Sequence, residues 1–296
     1  MIDIRGIPNA EYHVHVTFSR WIVDNYSREG WGAVSMFDRL KERGFEIEFR
    51  SHAEAILGVD FPEVAEQLEG VLLSSTIPIE EIIGSGGGET KGTQRLRNAL
   101  ATHDWRKHNF IVQRIIDGVE REAQSHEIDH VKTFDAGTIA LEIEWNNKDP
   151  FFDRDLENFK RLHADGGISL GIIVTRGASL QASITSLVRR FADERNINSH
   201  DDMERIGLNP TRRQIRDVVR RVTRNRNPIP FRDAWTDQFV SDKFGTATTH
   251  WSKLQERVQR GVGNPCPLVL IGLPSSIVTF GEDQTEVQKL LGDDED

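Results

Sequence analysis

Apolar and polar residues take turns in FEIEF (Phe45 to Phe49), the period of a half-buried strand. Before it, residues 10–44 space Trp21, Ile22, Trp31 and Phe37 as apolar anchors of a helical region. SHAEAIL then predicts a helix start, with Ser51 as N-cap and Glu54 three residues on, the capping-box spacing. Residues 63–73 continue helically, and TQRLRNALATHDW predicts another helix. Two hairpin signals follow: Asp117-Gly118 between β-rich runs, and Asp135-Ala136-Gly137 between HEIDHVKTF and TIALEIEW.

Asp149-Pro150 reads as a cap plus first-turn proline, and Gly166-Gly167 as a stop. Between them Phe152, Leu156, Phe159 and His163 share one helical face. ISLGIIV is a continuous apolar run, expected of a strand buried on both faces. Strand, helix, strand gives a crossover unit, right-handed by the general rule. Asn209-Pro210 opens a further helix with Ile215, Val218, Val219 and Val222 on one stripe. Arg212, Arg213, Arg216, Arg220 and Arg221 take the rest of it, as a solvated face or as a phosphate-contacting one. CPLVLIGL is a last buried strand, and no internal repeat is found. The pattern is α/β.

Composition narrows the class. The chain has 296 residues, 37% hydrophobic and 28% charged, as ordinary soluble proteins do. Its longest apolar run, Leu268 to Leu273, is far short of the ~20 residues that span a bilayer. MIDIRGIPNAEYHVH has no basic start followed by an apolar stretch, so no secretory signal is expected. Cys266 is the single cysteine, fits a reducing cytoplasm, and reads as a buried strand thiol rather than a nucleophile. GSGGGETKG (Gly84 to Gly92) is a loop and not a P-loop, because Lys91 is followed by Gly92.

The net charge of −10 is unevenly spread. Residues 281–296 carry −6 and read as a disordered acidic tail, which leaves −4 for everything else. Arg205 to Arg232 holds nine arginines. A nucleic-acid surface needs local positive charge, not a basic total.

The chemistry concentrates in residues 126–145. His126 to His130 spells HEIDH, the zinc-peptidase pattern, and a zinc metallopeptidase is one reading. It requires a helix, because histidines four apart on a strand are separated by ~13 Å. Ile128, Val131, Thr133 and Phe134 favour strand, with a turn after them. Folded about Asp135–Thr138, the hairpin sets Asp129 roughly across from Glu144, with Glu142 and Glu144 on one face. Three carboxylates this close repel unless a cation neutralises them, and oxygen ligands select Mg²⁺ or Mn²⁺. Such a site suits phosphoryl transfer. The plainer alternative is an exposed strand with scattered acids.

Asp129 followed by Glu-x-Glu on the paired strand resembles the PD-(D/E)xK nuclease core, in the variant where an acid or amide replaces the lysine. More closely, the chain resembles type II restriction endonucleases of the BglII/BstYI group, related to BamHI. FEIEFRSHAEAIL, IDHVKTFDAGTIALEIEWNNKDPFF, GIIVTRGASLQASITSL and LVLIGL carry the likeness. The resemblance implies a restriction-endonuclease-like core with a mixed central β-sheet flanked by helices and a helical insertion. The expected parts are an N-terminal helical extension (1–44), a nuclease core (45–187 and 248–280), a basic helical insertion for DNA contact or dimerisation (188–247) and the tail.

By the same resemblance, Asp129, Glu142 and the carbonyl of Ile143 hold Mg²⁺, and Glu144 completes the catalytic group. Asn109 matches an asparagine near the attacking water. Asn146 and Asn147 face base edges, and Ser183 and Thr185 fall on recognition-loop positions. Ile184 between them replaces an asparagine, so the base contacts of that family member do not transfer. Lys148, Arg176 and the helix bearing Arg212, Arg213 and Arg216 are expected to position phosphates. The function expected is Mg²⁺-dependent hydrolysis of a palindromic DNA site by a homodimer, with a methyltransferase of the same specificity as companion. A structure-specific or repair nuclease, or a non-catalytic DNA-binding protein, are the alternatives on the same fold.

Overall fold

The computed structural model describes residues 36–84 and 90–281. The helical reading of residues 10–35, the central glycines of the 84–92 loop and the tail from 282 onward lie outside the described residues.

A six-stranded mixed sheet runs in the order β1–β7–β6–β5–β4–β3. Its strands are β1 (Glu46–Arg50), β3 (Arg106–Ile116), β4 (Val119–Phe134), β5 (Gly137–Glu144), β6 (Leu170–Arg176) and β7 (Leu268–Leu273). β5, β6 and β7 are parallel, while β1, β4 and β3 pair antiparallel with their neighbours. A short parallel pair, β2 (Ile77–Pro78) with β8 (Val278–Thr279), stands apart.

Every residue of β6 and β7 is buried, as the unbroken apolar runs predict. Each strand faces two apolar clusters. One holds Ile139, Leu141, Ile172, Val174, Val269 and Ile271. It packs under α2 (Ala53–Asp60), α3 (Pro62–Ser74), α4 (Ile79–Gly84), α5 (Lys91–Ala101) and α7 (Ala178–Glu194). Ahead of these in the chain, α1 (Asp38–Glu42) adds Leu40. The other cluster holds Ala140, Ile173, Leu268 and Leu270 beneath α6 (Phe151–Ala164) and α11 (Trp251–Gln259). From α6 come Phe152, Leu156, Phe159 and Leu162. Burying a side chain of this size contributes roughly 1.5–3 kcal/mol. Gly171 on β6 is required by that packing, because a Cβ there would collide with the Phe159 ring.

Between α7 and α11 lie α8 (His200–Arg205), α9 (Arg212–Val222) and α10 (Phe231–Phe244). Their Val218, Ala234, Trp235 and Phe244 join the first cluster. Thr211 caps α9 through a capping box with Gln214, so the helix starts two residues past the proline. Val219 was expected on the apolar stripe and is instead exposed.

Two capping expectations fail. Ser51 and His52 both have positive φ, so the chain turns sharply after β1 and α2 starts without a side-chain cap. Asp149 does not cap α6 either. Its carboxylate pairs with Arg257 at 3.0 Å.

Candidate active site

The site is built on β4, which is shared by two hairpins. Its turn with β3 has positive φ at Asp117 and Gly118, the conformation that an Asp-Gly hairpin turn needs. Its turn with β5 is closed by the pair Phe134 and Gly137. That turn is tighter than a fold about Asp135–Thr138. The register places His130 opposite Leu141, and one step on brings Asp129 opposite Glu142 rather than Glu144. The Asp129 amide donates to Glu142 Oε1 at 3.4 Å.

On its other edge β4 is irregular. Arg106 pairs with Val131 and His108 with Ile128, so two steps on β3 face three on β4. The extra residue is a bulge at Asp129–His130, and bulges re-aim side chains. His126 therefore faces α6, where its Nδ1 meets Asn158 Oδ1 at 3.0 Å. His130 faces the other side, with Nδ1 donating to the Leu141 carbonyl at 3.2 Å. The two imidazoles of HEIDH lie on an extended strand and point to opposite faces, which removes the zinc-peptidase reading. Among the described residues, no three His, Cys, Asp or Glu side chains converge closely enough to hold a metal as they stand.

Glu142 and Glu144 are 4% and 3% exposed, against 57% for the side chain of Asp129. Burial, then the charges of Asp155 and Asp129, hold the Glu142 carboxyl well above the usual range. Burial and Asp155 push Glu144 up to about 8. Asn147 Nδ2 opposes this by donating to Glu144 Oε2 at 2.7 Å.

The sequence reading missed Asp155 and Arg154. Asp155 is 1% exposed on α6, and burial also raises its carboxyl. The group beside it is the Glu144 carboxyl, which can donate to it only while it holds a proton. The available signal was an acid on the stripe shared by Phe152 and Phe159. Also missed was Lys107 of β3, whose Nζ lies 2.7 Å from Glu127 Oε1 and 3.9 Å from Asp129 Oδ1. Its bond to Glu127 raises its pKa and keeps it cationic.

Asp129, His130, Lys107, Ile143, Asn146 and Asn147 line a cleft of about 570 Å³, with Arg97 on its wall. Ile143 faces the apolar side of β5. The sequence model of the restriction endonuclease BglII/BglIII family matches residues 45–273. The chain belongs to this family. Among curated proteins no relative matches.

The remaining expected residues of this restriction endonuclease are scattered. Asn109 lies across from Glu127 and accepts from Ser125 Oγ at 2.6 Å, so it sits beside these two rather than with the carboxylate pair. Arg176 is wholly buried, contrary to a phosphate-contacting role. It donates to the carbonyls of Trp145 and Thr249 and to the side chains of Gln181 and Thr248 at 2.6–2.7 Å, tying β5 and β6 to the segment before α11. Lys148 is exposed beside that clamp, bridged through its backbone to Thr248.

Ser183 and Thr185 are on helix α7 rather than in a loop. Ile184 between them is 1% exposed and faces the core, which is why an apolar residue stands there. Arg212, Arg213 and Arg216 are exposed on α9, outside the cleft, and Arg213 pairs with Asp242 at 2.6 Å. Cys266 is buried, as expected, and burial pushes its thiol up to about 12, far from a nucleophile. No helix among the described residues is long and apolar enough to cross a membrane.

Proposed function

We propose that this restriction endonuclease is a Mg²⁺-dependent, site-specific deoxyribonuclease that acts as a homodimer on a palindromic site. The observation that carries the reading is the burial of Glu142 and Glu144 on the strand paired with Asp129. Buried carboxyls at this spacing do not all ionise without a cation. The donor set fits a hard divalent ion: carboxylate oxygens, and an oxygen of Asp155 that no N–H or hydroxyl reaches. Asp129, Glu142 and the carbonyl of Ile143 would hold it. When bound, Mg²⁺ polarises a phosphate oxygen and lowers the pKa of bound water.

The protein's own groups do the rest. Glu144, held by Asn147, takes the proton of the attacking water. Lys107, next to Asp129, offsets negative charge that builds on the phosphate. In-line attack leaves 5′-phosphate and 3′-hydroxyl ends. Asn146 and Asn147 at the cleft face base edges, and Ser183 and Thr185 reach DNA from the outer side of α7. Arg212, Arg213, Arg216 and Lys148 contact phosphates, which position the duplex without reading it. In this reading residues 188–247 are a basic insertion within the nuclease core. A palindrome calls for a two-fold protein, and host DNA for a protecting methyltransferase of the same specificity. The compartment is the cytoplasm.

Digestion of an unmethylated phage genome tests this. Discrete bands that require Mg²⁺ are expected. A smear means a structure-specific or repair nuclease, and specific binding without cutting means a non-catalytic DNA-binding protein.

A further inference from the structure

Arg154 and Asp155 are consecutive on α6 and opposite in exposure. The Arg154 side chain is 54% exposed, whereas Asp155 is 1% exposed. Asp155 is drawn inward because it lies three residues after Phe152 and four before Phe159, on the face that covers the sheet. There its Oδ1 accepts from Arg154 Nε at 2.8 Å and forms an ion pair with Nη2 at 2.7 Å. The same Nη2 is 3.6 Å from Glu144 Oε1. One guanidinium thus serves two buried carboxyls. Asp155 Oδ2 is buried and accepts from no N–H group.

We propose that Arg154 is a resident counter-ion of the carboxylate centre, displaced when a divalent ion enters, and that Asp155 is the positioning residue that holds it there. The inference rests on reading the β4–β5 hairpin as a metal centre. Three features support displacement. The Arg154 guanidinium lies 4.5 Å over the Phe151 ring, and its side chain is half open to solvent, so leaving opens no hole in the core. A planar guanidinium reaches one oxygen of Asp155 and leaves the other without an N–H donor, whereas a compact divalent ion takes oxygens from several sides. Two cations that neutralise the same acids must weaken each other's binding, by linkage. Once released, Arg154 is free for a DNA phosphate.

The test is Mn²⁺ binding to the DNA-free full-length protein, followed by electron paramagnetic resonance at fixed ionic strength. Arg154→Gln removes the competitor and is expected to tighten Mn²⁺ binding about tenfold, at the low end of effects from residues that surround ligands. Asp155→Asn removes a charge from the centre and is expected to weaken it by about the same factor. Unchanged or weaker binding in Arg154→Gln overturns the proposal, and so does unchanged binding in folded Asp155→Asn. Because Arg154 is half exposed, its variant decides the matter even if Asp155→Asn does not fold. Wild-type protein that binds no Mn²⁺ would instead sink the metal reading itself.

Discussion

The acids of β4–β5 and the arginines of α9 are both charge clusters, and the protein treats them in opposite ways. On α9 the charges stand in water. Arg213 has Asp242 at 2.6 Å, Arg220 has Asp217 at 3.0 Å, and only Val218 anchors the helix deeply. Exposed pairs of this kind are worth about 0–1 kcal/mol, so neither their presence nor their loss strains the fold. On β5, Glu142 and Glu144 are buried beside Asp155 with one guanidinium among them. That arrangement is costly. Exposed charge at α9 costs the fold little, while buried charge at β5 is costly unless it is neutralised.

The sharpest way to break the contrast is Glu142→Ala. It should lower single-turnover cleavage by on the order of a thousandfold while DNA binding in Ca²⁺ persists, since metal-assisted steps carry several kcal/mol. Loss of folding instead would make Glu142 structural. Arg176→Met comes next. It leaves the Trp145 and Thr249 carbonyls without their donor and should cost about 2–3 kcal/mol in denaturant unfolding. Unchanged stability with weakened DNA binding would return Arg176 to the phosphate-binding groups.

A smaller effect is the pH dependence of the metal-free protein. Glu144 is pushed up to about 8 from an ordinary 4.5, so the folded state keeps a proton that the unfolded state releases. Stability therefore falls as pH rises from about 4.5 to about 8 and levels off above that. The melting temperature should drop by several degrees over this window, and Glu144→Gln should flatten the slope. The smallest effect is expected at α9. Arg212→Ala with Arg216→Ala should weaken specific and random DNA alike by a few-fold and reduce the salt slope by about one for each phosphate no longer neutralised. Weakening confined to one DNA sequence would make these arginines base readers.

The sequence made the strands and the two hairpins legible, because alternation and Asp-Gly turns are local signals. It placed Asp129 on one strand of the second hairpin and Glu142 and Glu144 on the other for the same reason. The register was two residues off, since a turn one pair tighter than assumed leaves the same pattern of apolar residues. The bulge at Asp129–His130 was invisible: it depends on pairing with β3, an earlier strand of the chain, and it alone separates the faces of His126 and His130. Asp155 was readable as a charge on an apolar helical stripe but joins the site only through packing of α6 on the sheet. Arg176 was misplaced because a T-R-G strand end looks alike whether its arginine turns outward to phosphate or inward to carbonyls.

The most direct measurement is the position of Mn²⁺ in crystals of the protein bound to its DNA site, read from anomalous scattering. Metal binding by the β4–β5 hairpin predicts a peak between Asp129 and Glu142, next to the Ile143 carbonyl, with the scissile phosphate against it. A peak at His126 or His130, or a bound duplex with no ion near the β4–β5 hairpin, would contradict it.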